Sequence, residues 1–280
     1  MTIREALFLL KKELSVPLGC FAQPQSEEIL QFIFNCSRSE LFLWSGQLLT
    51  DSQIQLLNAV LKRRLNGEPL SYILGKTFFY SREFKVTRDT LIPRPDTEIL
   101  VEQVLLNEKN ENTCFADVGI GSGIIASILN EERPHWKAFG IDISFQTLLV
   151  AKQNLTTPVH LVCSDLLSAI KASATFDFIV SNPPYISADE LNTLDPEVKD
   201  FEPHLALYGG EDGLDYYRRL TNEAKKILKK SGRLYCEIGY NQQNSVTEIF
   251  SSTGWKELNI TKDLSGHPRV LRVVLEDSES

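Results

Sequence analysis

CFADVGIGSG, residues 114–123, is an apolar run that breaks into three alternate glycines. A run of strand length closing on Gly119, Gly121 and Gly123 predicts a strand that feeds a tight loop and then a helix. Glycines there allow positive φ and let the backbone come close to a ligand at the helix N-terminus. The dinucleotide fingerprint GxGxxG needs its third glycine at position 124, which is Ile124, so the spacing is GxGxG. Asp142 closes the next apolar run (AFGID, 138–142), 21 residues after Gly121. A carboxylate at that place can accept hydrogen bonds from two ribose hydroxyls. Loop and acid together point to a nucleoside cofactor, and the spacing favours S-adenosylmethionine over NAD. Nothing matches GxxxxGK[ST], which disfavours a nucleoside triphosphate.

Outward from this loop the texture is strand–helix alternation. VHLVC (159–163), FDFIVSN (176–182), RLYCEIG (233–239) and RVLRVVL (269–275) are further apolar runs separated by amphipathic stretches. Such alternation predicts an α/β fold with a mostly parallel sheet covered on both faces. Ligands in such sheets bind beyond the carboxyl ends of the strands. Asp165 and Leu166 follow the third run. Asp165 could reach an adenine amino group or cap the next helix, and Leu166 offers apolar contact to a purine. Ser181-Asn182-Pro183-Pro184-Tyr185 follows the fourth run. Its two prolines remove two N–H donors and stiffen the loop, leaving Asn182 and nearby carbonyls as acceptors. That arrangement suits a planar NH2: the Asn182 side-chain oxygen takes one hydrogen, the Pro183 carbonyl the other, and Tyr185 lies against the flat face. Binding both hydrogens favours positive charge on nitrogen and aims its lone pair at an electrophile. A sulfonium methyl needs no metal, and His135, His160, His204 and His267 are too scattered to suggest one.

The amino-terminal part differs. Ile3, Ala6, Leu7, Leu10 and Leu14 follow the helical period, as do Ile54, Leu57, Leu61 and Leu65 behind a candidate N-cap at Asp51. Up to Gly75 seven basic residues balance seven acidic ones, which suggests a helical module that packs on or recognises protein. Phe78, Phe79, Tyr80, Phe84 and Val86 predict a hairpin within 76–92. Asp96 is then placed to cap a helix carrying Ile99, Leu100, Val104 and Leu105. The 280 residues carry 29 basic and 37 acidic side chains, net −8. That balance argues against nucleic-acid binding. No apolar run reaches the roughly 18 residues of a membrane span, charges interrupt the apolar start, and five cysteines form no CxxC pair. A reducing, cytoplasmic setting is expected.

Asn-Pro-Pro-Tyr is shared in type by adenine-N6, guanine-N2 and protein-glutamine methyltransferases. GEPLSYILG (67–75), LIPRPDTE (91–98), DVGIGSG (117–123), SNPPYI (181–186), FEPHLAL (201–207), GGEDGLDYYR (209–218) and KDLSGHPRV (262–270) separate them. Over nearly its whole length the chain resembles the release factor glutamine methyltransferases (HemK/PrmC family). The resemblance implies a Rossmann-like class I methyltransferase sheet, mostly parallel and seven-stranded, with a small N-terminal helical domain joined by a β-hairpin. The boundaries would be 1–75 for substrate recognition, 76–92 for the hairpin linker and 93–280 for the S-adenosylmethionine-dependent domain. It implies methyl transfer to the side-chain amide of the glutamine in the Gly-Gly-Gln loop of peptide-chain release factors, with S-adenosylhomocysteine as product. Nucleic-acid exocyclic amines are the alternative acceptor. Carried over by position, Gly119, Ile120, Gly121, Ser122, Gly123, Asp142, Leu166 and Asn182 would bind cofactor. Asn182, Pro183, Pro184 and Tyr185 would hold the glutamine, with Asn182, Pro183 and Tyr185 catalytic. The chain departs from the family pattern at Ile120, where Thr is frequent, and at Leu166, where an aromatic is. His267-Pro268 also replaces more polar residues. Arg94 and Glu98 would either orient the loop near the sulfonium or pair with each other.

Overall fold

In the structure, a computed structural model that describes residues 1–276, Thr2 starts the first helix. Its hydroxyl accepts from Glu5 N at 3.3 Å while Glu5 Oε2 accepts from Thr2 N at 2.8 Å, a reciprocal cap for Ile3–Leu18. Ile3, Ala6, Leu10 and Leu14 of that helix are fully buried against Leu30 and Leu57 of later helices. This helical unit consists of Met1–Gly75 together with Pro196–Phe201. Two details differ from the sequence expectation. The cap of the helix Asp51–Leu65 is Thr50, because Gln53 three residues on can reach back to its N–H at 2.9 Å, and the residue three after Asp51 is the apolar Ile54. The buried stripe of that helix is Leu57, Val60 and Arg64, and Leu65 is 44% exposed. Arg64 can be buried because it is fully engaged. It bonds Gln25 Oε1 at 2.8 Å, the Glu68 carbonyl at 3.2 Å and Glu197 Oε2 at 2.7 Å. The last contact explains why Pro196–Phe201, unremarkable in sequence, belongs to this unit.

The second unit is Lys76–Asp195 with the residues from Glu202 on. It opens with a hairpin of β1 (Lys76–Phe79) and β2 (Arg82–Lys85), turned by Tyr80 and Ser81, both with positive φ. That turn twists the way paired strands do. Glu98 Oε1 accepts from Tyr80 N at 2.7 Å and holds the turn. The hairpin, expected as a linker, is part of this unit: Lys85 N donates to Asn154 Oδ1 at 2.8 Å.

Seven strands then form one sheet among the described residues: β3 (Cys114–Val118), β4 (Lys137–Asp142), β5 (Val159–Cys163), β6 (Phe176–Ser181), β7 (Leu228–Glu237), β8 (Trp255–Lys262) and β9 (Pro268–Leu275). Their order is β5-β4-β3-β6-β7-β9-β8, parallel through β7 and antiparallel at β9 and β8. β3 and β6 read as near-continuous apolar runs because both faces are covered. β8 (WKELNITK) is missing from the expected runs because this edge strand leaves half of its residues exposed. Asp96 sits at the N-cap of the helix Thr97–Asn107 without capping it. Its own backbone is already helical, which turns the carboxylate away from the first N–H groups, and that carboxylate pairs with Arg269 at 2.9 Å. No helix among the described residues is long and apolar enough to cross a membrane.

Candidate active site

Strand order reverses between β3 and β6, so the loops leaving their carboxyl ends diverge and open a crevice. Val118 pairs with Ser181 across this point, and Ser181 Oγ donates to the Val118 carbonyl at 2.7 Å. The register places the glycine loop after β3 beside the Asn-Pro-Pro loop after β6, with the end of β4 on the other flank. One cavity wall contains Gly119, Ile120, Gly121, Ser122, Asp142, Leu166, Asn182, Pro183 and Pro184. Gly123 and Tyr185 stand outside it.

The three glycines do different work. Gly119 and Gly121 have φ of +74° and +56°, and a Cβ built on either meets no protein atom nearer than 3.9 Å. Space is left open there, as a closely approaching ligand requires. Gly123, at φ +86°, would put a Cβ 3.3 Å from Ala151 Cβ. The helix Phe145–Asn154 thus packs closely on Gly123, at the start of the helix that follows the loop. Asp142 Oδ2 accepts from Gly121 N at 3.1 Å and Oδ1 from Ser144 N at 3.0 Å. Burial raises its pKa, and those N–H bonds oppose the rise. Both oxygens keep lone pairs for hydroxyls in the cavity. Asp117, fully buried beneath the loop, accepts from Ala126 N at 3.1 Å, and desolvation carries its pKa up to about 7. Ile120 is buried in the core under β4, its end set against Gly140. Leu166 holds φ at +47°, a left-handed backbone uncommon for a non-glycine residue, and borders the cavity. Asp165 caps nothing, since no helix follows β5 before β6; its Oδ1 takes Arg219 Nη1 at 2.8 Å. Open glycine surface, a carboxylate with spare acceptor capacity and an apolar flank fit a nucleoside cofactor. Among the described residues no group of three or more His, Cys, Asp and Glu is placed to hold a metal ion.

The loop Asn182–Tyr185 is held from behind. Gln242 Nε2 donates to the Tyr185 carbonyl at 2.9 Å and to the Gly213 carbonyl at 3.2 Å. The Tyr185 ring packs against the larger core, and burial raises its pKa. The ring is partly buried, so this packing helps anchor the loop. Gly213 has φ +76°, and a Cβ on it would collide with the Tyr185 carbonyl oxygen. Gly213→Ala is therefore expected to shift the loop, lowering kcat by about 10- to 100-fold for a displacement near 1 Å. Thermal unfolding should show a loss of about 1–3 kcal/mol from the strained φ. Unchanged kcat in this variant would separate the loop from catalysis.

Arg94 and Glu98 do not pair with each other. Arg94 Nη2 donates to Glu202 Oε1 at 2.5 Å, and Ile92 N donates to Glu202 Oε2 at 3.3 Å. This ties the LIPRP segment to the residues that begin FEPHLAL, and both segments border the cavity through Arg94, Pro203 and Leu205. Two buried residues beside Asn182 were not anticipated, Thr97 and Glu237. A carboxylate inside the apolar run RLYCEIG is the signal that points to the second.

A switch-point cavity with this loop, acid and Asn-Pro-Pro wall defines a methyltransferase of the Rossmann-like type. Comparison agrees: residues 95–197 match the methyltransferase small domain and residues 21–75 the PrmC N-terminal domain. A methyltransferase from Pyrococcus furiosus shares the fold at a TM-score of 0.53 and 16% identity, over 71% of this chain and 91% of that one. The release factor glutamine methyltransferase of Koribacter versatilis is 40% identical over 97% of this chain and 98% of its own. That of Thermodesulfovibrio yellowstonii is 37% identical over 91% and 93%. The chain belongs to the release factor glutamine methyltransferase family.

Proposed function

We propose that the protein transfers the methyl group of S-adenosyl-L-methionine to the side-chain amide nitrogen (N5) of the glutamine in the Gly-Gly-Gln loop of peptide-chain release factors. The observation that carries this is the shared cavity wall of Gly119, Gly121, Asp142, Asn182 and Pro183, in a chain of this family. When bound, the cofactor supplies an electrophilic methyl carbon on a sulfonium. Asp142 holds the ribose, the backbone of Gly119 and Gly121 admits the amino-acid end, and Leu166 lies against the base. Asn182 Oδ1 and the Pro183 carbonyl take the two amide hydrogens of the glutamine, and Pro184 stiffens the loop between them and the Tyr185 anchor. An amide nitrogen is a weak nucleophile because its lone pair is delocalised. Two acceptors on its hydrogens favour the charge that develops as the new bond forms, so the rate gain comes from position and electrostatics. The helical unit 1–75 recognises the protein substrate in this scheme, and the work is done where release factors act, in the cytoplasm.

Asp142→Ala should raise the cofactor Kd by the loss of bonds to a charged group, about 1.5–3 kcal/mol. Calorimetry checks this, and unaltered affinity would remove Asp142 from the site. The acceptor class is tested by incubating the protein with methyl-labelled cofactor and a bacterial extract. The label should survive nuclease and be released by protease; the opposite pattern would favour the nucleic-acid acceptor.

A further inference from the structure

A side-chain amide has two ends of nearly equal size and opposite hydrogen-bonding sense. Asn182 can serve as an acceptor only if its oxygen, not its NH2, faces the incoming amide. The residues behind it decide that orientation. Thr97 Oγ1 lies 2.7 Å from Glu237 Oε2 and 3.2 Å from Asn182 Nδ2. A hydroxyl carries one proton, and an ionised carboxylate has none to give. While Glu237 is ionised, the Thr97 proton is therefore committed to it, and Thr97 Oγ1 is left only as an acceptor. The arm of Asn182 that meets it must then be the NH2, which puts the oxygen at the opposite edge of the planar amide. Thr97 and Glu237 are 1% and 2% exposed, so water does not compete for these bonds.

We infer that Thr97 and Glu237 are positioning residues that fix the Asn182 amide with its oxygen toward the methyl acceptor, a step that rests on the methyl transfer proposed above. Burying a carboxylate against a hydroxyl is costly to stability, which suits a role in the reaction better than one in holding the fold together. The chain also anchors the strand end here without using that carboxylate, since Tyr217 Oη donates to the Glu237 carbonyl at 2.9 Å.

The relay depends on pH. A protonated Glu237 can donate to Thr97 Oγ1, which frees the Thr97 proton for Asn182 and lets both amide orientations be satisfied. Desolvation brings the Glu237 pKa up to about 7; Thr97, Arg269 and Asn182 hold it down, and Asp96 pushes it up. Arg269 is itself paired with Asp96 and Asp263, and burial keeps the nearby Tyr185 and Tyr217 hydroxyls neutral. The competent form is the ionised one, so kcat falls as pH drops through about 7.

Steady-state kinetics of the full chain on a release factor, with cofactor affinity measured alongside, test this. Thr97→Val keeps the shape and removes the relay; kcat should fall about 10- to 100-fold with cofactor Kd and release-factor KM little changed. Thr97→Ser restores the hydroxyl and should recover most of the rate. Glu237→Gln cannot ionise and should lose the acid limb of the kcat profile that the wild type shows. A Thr97→Val enzyme as fast as wild type, a Thr97→Ser enzyme as slow as Thr97→Val, or an acid limb retained in Glu237→Gln overturns the inference alone. A wild-type protein with no activity on release factor overturns the functional reading beneath it.

Discussion

Asn182→Ala is expected to lower kcat by about 10²–10³, the usual cost of removing one oriented polar group that meets developing charge. The substitution deletes the oxygen that accepts an amide hydrogen and leaves the Pro183 carbonyl as the remaining acceptor. It also opens space at Thr97, whose hydroxyl stays 2.7 Å from Glu237 and has no amide to orient. Cofactor binding should weaken but remain measurable, because Gly119 and Gly121 lie in the loop after β3 and Asp142 ends β4. Rate and affinity thus respond differently, which distinguishes this variant from Asp142→Ala. If Asn182→Ala retains a tenth of the wild-type rate with saturating release factor, the acceptor role assigned to Asn182 is wrong.

A release factor whose Gly-Gly-Gln glutamine is replaced by asparagine should be methylated at least about 100-fold more slowly. Two carbonyl oxygens gripping an NH2 cannot by themselves tell glutamine from asparagine, since both end in the same amide. Discrimination has to come from reach. Asparagine is one methylene shorter, which leaves its nitrogen about 1.5 Å short on the carbon–carbon bond scale, and misplacement near 1 Å can cost about 10² in rate. The loop offers little give to close that gap. Pro183 and Pro184 fix two backbone angles, Gln242 ties the Tyr185 carbonyl, and Gly213 packs against it. Single-turnover labelling of the two release factors side by side measures the ratio. Comparable rates would mean the acceptor is not selected by side-chain length.

Much of this was legible because the chemistry sits at strand ends. Doubly covered strands such as CFADV and FDFIVS are mostly apolar, so their boundaries, and the loops that follow, stand out in the sequence. Gly119, Asp142 and Asn182 could be found by looking just past each run. What stayed hidden depends on tertiary contact. WKELNITK reads as polar because this edge strand leaves half of its residues exposed, and Pro196–Phe201 joins the helical unit through Arg64, a partner 133 residues from Glu197. A charged residue in a helix stripe gives no sign of being buried until its partners are known. Gly123 and Tyr185 were legible as motif members, while their packing against Ala151 and the core, respectively, was not. Glu98 belongs to the hairpin turn for the same reason: its partner, the Tyr80 N–H, is exposed to it only by the left-handed turn.

The most direct measurement is fragment mass spectrometry of a purified release factor after incubation with the protein and S-adenosylmethionine. The expected result is a gain of one CH2 unit, localised by fragmentation to the side chain of the Gly-Gly-Gln glutamine and absent from every other peptide. An unmodified glutamine, with the methyl group recovered on nucleic acid or on a different side chain, would contradict it.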